Sequence, residues 1–218
     1  ASNPLVGLDG RVALLRRLGA ALGADGRPGQ LWDALAAESV SAGSVLAAVL
    51  DSFSGIWPAD NTIDAVPLGD CWRHDAVDGP GLTRGWMPFH KLSQWLTYSL
   101  LEPLEWSGVR VTDLDALTAL PEYRNGGLLL DTGVLRLRDP QWAGRTWAVG
   151  DELVVEWRAL TVALLDELAV LVRKRLDVPE LPLACVLEGG TWAAGRQFAQ
   201  RLRDGLPPLT IDSDGTVF

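Results

Sequence analysis

One long helical signal constrains this chain more than any other feature. From Asp151 to about Leu176, apolar residues return at Leu153, Trp157, Leu160, Leu164, Leu168 and Leu171, the three-and-four spacing of a helix core stripe. The first half is apolar on its other sides too, at Val154, Val155, Val162, Ala163 and Leu165. A helix apolar nearly all round is buried, which places Glu156 and Arg158 in low-dielectric surroundings where charges need partners. Two readings stand for them: a salt-bridge network tying helices together, or a charge facing a pocket.

The rest of the chain reads as helix around this element. Asp9 has the form of an N-cap before Val12, Leu14, Leu15, Leu18 and Leu22, with Gly23 closing the segment. Shorter helices are expected over about 29–37 and 42–50, then from Pro88 to about Leu104, after Thr112 or Asp113, and from Pro121 to about Gly133. Two more, 182–188 and 191–204, are expected on either side of Gly189-Gly190. Val134–Arg138 and Arg145–Val149 alternate like two strands joined at Asp139-Pro140. The expected fold is therefore mainly α: a compact helical domain over residues 1–218 with one small β-hairpin. Residues 54–85 are dense in Gly, Pro and Asp and form a candidate lid.

Composition narrows the function. The chain has 218 residues and a formal net charge of -9, a sign that repels nucleic acid. Its two cysteines, Cys71 and Cys185, cannot supply a disulfide framework and fit a cytoplasmic setting. No apolar run approaches the ~18 residues of a membrane span. Cys71 and His74 make a Cys-x-x-His pair, but no second pair follows at zinc spacing, and nucleotide-loop and hydrolase-elbow motifs are absent; no metal or cofactor is expected. Of 19 basic residues only Lys91 and Lys174 are lysines, and there are ten tryptophans, whose indoles serve core packing or stacking on bases and sugars.

Polar residues where a helix ought to be apolar mark the candidate site. From Phe89 to Tyr98 there is no acid; Leu92, Leu96 and Leu100 form a packing stripe, and Lys91, Gln94, Trp95 and Tyr98 share the adjacent face. A cation, an amide and two aromatics together suit an anion and a planar group, although a surface lysine beside a core tryptophan has the same pattern. Glu122 and Arg124 stand near a helix start, where backbone N–H groups favour anions and a carboxylate can steady a cationic transition state or simply complement the dipole. Glu188, before paired glycines and Trp192, reads as a helical corner or as a residue reaching a cleft.

These same residues carry a resemblance. Phe89–Leu100, Leu120–Gly127, Glu156–Thr161, Leu187–Arg196 and the ending 212–218 resemble the family of the fourth protein of the URC uracil-catabolism pathway. Members of that family continue upstream of the Asn3-Pro4-Leu5-Val6-Gly7 stretch, so the chain resembles a C-terminal half. The resemblance implies a route that phosphoribosylates uracil, opens its ring and passes through a ribosylurea-type intermediate. A more distant similarity joins Phe89–Gln94, Asp113–Thr118, Glu122-Tyr123-Arg124 and Gly133–Leu135 to the queuosine-salvage N-glycosidases. By position, Lys91 matches the motif lysine of those enzymes and Glu122 their catalytic aspartate. Glu stands here for Asp, and Asn125-Gly126 for that family's Pro-Gln.

The expected function is uracil catabolism by hydrolysis of an N-glycosidic bond in a ribosyl or phosphoribosyl derivative. Glu122 and Lys91 are the expected catalytic residues; His90, Gln94, Trp95, Tyr98, Tyr123, Arg124, Glu156, Arg158, Glu188 and Trp192 are expected to bind the substrate. The alternative is a non-catalytic nucleotide-binding partner of the pathway's ring-opening enzyme; the expected partners are a small ribosyl or phosphoribosyl ligand and an N-terminal half or other pathway enzymes.

Overall fold

A serine and four apolar residues explain the first well-packed helix. In the computed structural model, which describes residues 7–23, 26–35, 37–59, 61–213 and 215–216, Ser41 caps a helix over Ala42–Phe53 by accepting the Ser44 N–H at 3.1 Å. Ala42, Val45, Val49 and Phe53 fall on one face of it and are buried. The chain divides into two compact units, residues 1–117 with 213–218, and residues 118–212. The Asn3–Val6 stretch and Asp214, Val217 and Phe218 of the ending lie outside the described residues, as does Ala36 in the expected 29–37 helix.

The first unit runs α1 (Leu8–Ala21), α2 (Gly29–Leu35), β1 (Ser39–Ser41), α3 (Ala42–Phe53), β2 (Thr62–Ile63), β3 (Val66–Pro67), β4 (Cys71–Arg73), β5 (Trp86–Pro88), α4 (Lys91–Trp106) and β6 (Arg110–Thr112). β1 and β6 pair in parallel; β2–β3 and β4–β5 are antiparallel. Its core joins Val40, Ala42, Val45, Leu101, Leu104, Val109 and Leu117, with a second cluster of Val49, Phe53 and Ile56. The second unit runs α5 (Tyr123–Asp131), β7 (Thr146–Ala148), α6 (Glu152–Leu176), α7 (Leu183–Val186), a π-helical turn (Leu187–Trp192), α8 (Ala193–Arg203) and β8 (Thr210–Asp212). Its core gathers Ala119, Leu165, Ala169, Leu183, Val186 and Leu187.

The molecule is mainly α, as its periodicity predicts, and several local expectations are corrected. The 134–149 hairpin does not form: Val134–Arg138 is no strand, and β7 instead pairs in parallel with β8, 64 residues further on in register. The small antiparallel pairs lie in the Gly- and Pro-rich 54–88 stretch, which therefore carries strands rather than one long loop. α1 follows Gly7, not an Asp9 cap. Pro88 ends β5 instead of opening α4, which begins only after His90 turns the chain at φ 48°. Past Thr112 there is a single 3-10 turn, Leu114–Ala116, not a helix. Gly189 and Gly190 do not separate two helices; helical winding continues through them as the π turn. On α6 the buried stripe is Val154, Arg158, Thr161, Leu165 and Ala169, while Leu160 and Leu171 of the expected core stripe are exposed.

Candidate functional site

In the first unit the expected residues collect where the β4–β5 hairpin meets the start of α4. The centre is a carboxylate that sequence reasoning passed over. Asp70 is buried; one oxygen accepts the Trp72 indole N–H at 2.7 Å and the other accepts the Lys91 backbone N–H at 3.0 Å. Its main-chain carbonyl accepts N–H bonds from Phe89 and His90, at 2.9 and 3.0 Å. Asp70 thus supplies the cap that His90, in a left-handed conformation and without a side-chain cap bond, does not give α4.

Burial holds His90 below the usual imidazole range, and the Asp70 carboxylate opposes that shift. Burial first, then Asp70, pushes the Cys71 thiol up to about 11, against the pull of Arg73, which leaves it an inert thiol. Lys91 and Gln94 are buried, as are Ser93 and Thr97. This polar face, not Leu92–Leu96–Leu100, is the one α4 turns inward over its first two turns. Tyr98 is half-buried and packs against the core, whereas Trp95 is 58% exposed and so stands apart from the buried polar face.

In the second unit Glu122 is the N-cap of α5. Its two oxygens accept the N–H groups of Arg124 at 2.9 Å and Asn125 at 2.7 Å, the second and third residues of the helix. Arg158, 1% exposed, donates from Nε to the Pro121 carbonyl at 3.3 Å and so fixes the backbone just ahead of Glu122. The Trp157 indole donates to the Gly126 carbonyl at 3.1 Å, and a Cβ on Gly126 would come within 2.7 Å of that indole. Asn125 donates from its amide to the Leu120 carbonyl and accepts the Thr191 hydroxyl at 2.9 Å. Gly195 lets α8 cross α5 closely, since a Cβ there would collide with the Arg124 carbonyl oxygen.

Above this frame the Arg124 guanidinium lies 4.6 Å from the Tyr123 ring and 4.9 Å from the Trp192 ring. Arg196 lies 4.0 Å from the same indole. The arrangement puts a carboxylate, two guanidinium groups and two aromatic faces on α5, the π turn and the first turn of α8, suited to an anionic or planar polar ligand.

The remaining expected residues separate from this cluster. Glu156 is not in a low-dielectric setting: it is half-exposed and pairs with the exposed Arg138 at 3.2 Å, since it falls on the side of α6 away from the Val154–Arg158–Thr161 stripe. Glu188 is exposed on the π turn. Asn125, Thr191 and Arg196 were missed beside it. Asn125 stands beside Gly126, where α5 packs closely on α6, and Arg196 beside Gly195, where α8 crosses α5; Thr191 follows Gly189-Gly190, where an added Cβ would meet nothing within 4 Å. Among the described residues no helix is long and apolar enough to cross a membrane.

Fold and clusters define a mainly α protein that caps two helix starts with carboxylates, one buried and one half-buried. It belongs to a particular family: the model described as "Protein of unknown function (DUF1688)" matches residues 1–218, and the chain is a member of that family. It is 42% identical to Uracil catabolism protein 4 of Lachancea kluyveri, in an alignment covering 100% of this chain and 58% of that protein. It is 41% identical to Protein urg3 of Schizosaccharomyces pombe, over 99% of this chain and 55% of that one. The resemblance to the family of the fourth uracil-catabolism protein is borne out. The chain spans little more than half the length of these curated relatives.

Proposed function

We propose that the chain takes part in uracil catabolism and hydrolyses the N-glycosidic bond of a ribosylurea or a phosphoribosyl derivative. The relative named for uracil catabolism supports the pathway. One observation carries the reaction: the Glu122 carboxylate is held by two backbone N–H groups, within two residues of an Arg124 side chain stacked on Tyr123 and Trp192. Breaking the C1–N bond leaves positive charge on C1 and the ribose ring oxygen, and sends the bond's electron pair to the urea nitrogen. A fixed carboxylate stabilises that charge and takes a proton from the attacking water, whose oxygen bonds C1; the leaving nitrogen gains a proton. Arg124 suits a phosphate or sugar hydroxyls, and the two rings suit the planar leaving group.

A second reading, a non-catalytic binder of a nucleotide intermediate, is favoured by one fact: each Glu122 oxygen already serves a backbone N–H, as a purely structural cap would use it. A mass-spectrometric product screen separates the two. The chain and the full-length Lachancea kluyveri relative are each incubated with ribosylurea, its phosphate, uridine and UMP, beside Glu122→Gln and Lys91→Met. The hydrolase reading expects ribose or ribose phosphate from the wild type, and a loss of about 100-fold or more in Glu122→Gln, the scale of acid–base and electrostatic catalysis. Near wild-type turnover in Glu122→Gln removes Glu122 from the chemistry. A ligand that raises the melting temperature without any product moves the binding reading ahead.

A further inference from the structure

The stripe on α6 that the sequence marks as core is only partly buried: Trp157 is inside and Leu168 packs on the core, but the rest is not buried. Leu160 is 40% exposed, Val170 60% and Leu171 61%, with Leu164 half-buried beside them. The exposed line Leu160, Leu164, Glu167, Leu171, Lys174 steps by four, three, four and three residues, the repeat of a helix that packs along another helix. Two charges sit on that line, both exposed. Glu167 and Lys174 are seven residues apart, about 10 Å along a helix axis. That is too far for a bond between them, and the residues three and four positions either side of Glu167 are all apolar.

We infer that this seam binds a second copy of the chain, α6 against α6, antiparallel. Charge decides both occupant and direction. A two-fold axis between Val170 and Leu171 brings Glu167 of each copy opposite Lys174 of the other, because 167 and 174 are equidistant from that point. The same axis passes beside Leu171, so the Leu171 side chains of the two copies meet across it. Such a contact is isologous, so each pairing occurs twice. A parallel pairing would stack Glu167 on Glu167 and Lys174 on Lys174. The overlap runs over residues 165–176, about three turns or roughly 18 Å, so Leu160 and Leu164 lie outside it and the contact rests on Leu171 and the two charge pairs, which makes it a small interface and a weak dimer.

The test is sedimentation velocity on the chain from about 1 to 300 µM, a span bracketing weak association. The wild type is expected to pass from 23.5 kDa to twice that mass. Glu167→Lys and Lys174→Glu, both at exposed positions, are each expected to weaken self-association at least about tenfold, since like charges then face each other twice. Mixing these two variants restores the dimer, because every reversed charge then meets its opposite, and the double variant E167K/K174E restores it alone. Circular dichroism establishes that each variant is folded. A wild type that stays monomeric throughout overturns the inference and leaves the seam to a different chain. A dimer that survives both single reversals overturns it too, by placing the contact elsewhere.

Discussion

Helices α4 and α5 both begin on a carboxylate, yet they obtain it differently. α5 is capped from within: Glu122 directly precedes it and reaches two of its own first N–H groups. α4 is capped from afar: His90 precedes it with a left-handed backbone, and the oxygen on Lys91 N–H comes from Asp70, 21 residues upstream on the β4–β5 hairpin. A local cap stabilises one helix end. A borrowed cap also ties that end to another element, so its carboxylate stays buried between the two and its loss is felt by both.

Asp70→Ala is therefore expected to have the larger effect. It leaves the Trp72 indole N–H and the Lys91 N–H without their acceptor, at about 1–3 kcal/mol for each buried donor. Urea denaturation is expected to register a loss of about 2–4 kcal/mol, with Asp70→Asn, which keeps one acceptor oxygen, losing less. Glu122→Ala removes a cap whose helix end the chain itself sets up, and a loss near 1 kcal/mol is expected. Equal losses at the two sites would end the distinction between borrowed and local caps. A Glu122→Ala loss well above 2 kcal/mol would mean that Glu122 holds more than the end of its own helix.

The same distinction explains what could be read in the sequence. Glu122-Tyr123-Arg124 announces a helix start because cap and helix are neighbours in the chain, and the Asp151–Leu176 helix is legible because its periodicity is local. Asp70 was not legible: the sequence drew notice only to its neighbours Cys71 and His74, set aside as a metal pair, and only the β4–β5 pairing turns its oxygen onto Lys91. The 134–149 hairpin failed for the same reason. Alternation marks neither a partner nor, by itself, a strand: the partner of β7 lies at Thr210–Asp212, and the alternating Val134–Arg138 finds none and forms no strand. On α6 the heptad line was real, but a helix with two apolar faces does not say which one the core takes; Arg158 and Thr161 went inside because Pro121 and Trp157 offered them carbonyl acceptors.

The smallest expected effect, a pH dependence, belongs to α4. Burial holds His90 below its ordinary value of 6.5, with Asp70 opposing. Between that lowered value and 6.5 the unfolded chain binds more protons than the folded one, so stability rises with pH across the interval. The contribution is complete above about pH 6.5 and disappears as pH falls through the folded value. His90→Asn is the matched comparison, because asparagine tolerates a positive φ and does not titrate. The difference in melting temperature between wild type and His90→Asn, followed from about pH 7.5 down to 5.5, is expected to move against the wild type as the medium becomes acidic. The window stays above the carboxylate range. A difference that stays flat would mean that His90 protonates as readily in the fold as out of it, and that the junction around Asp70 excludes water no better than the open cap of α5.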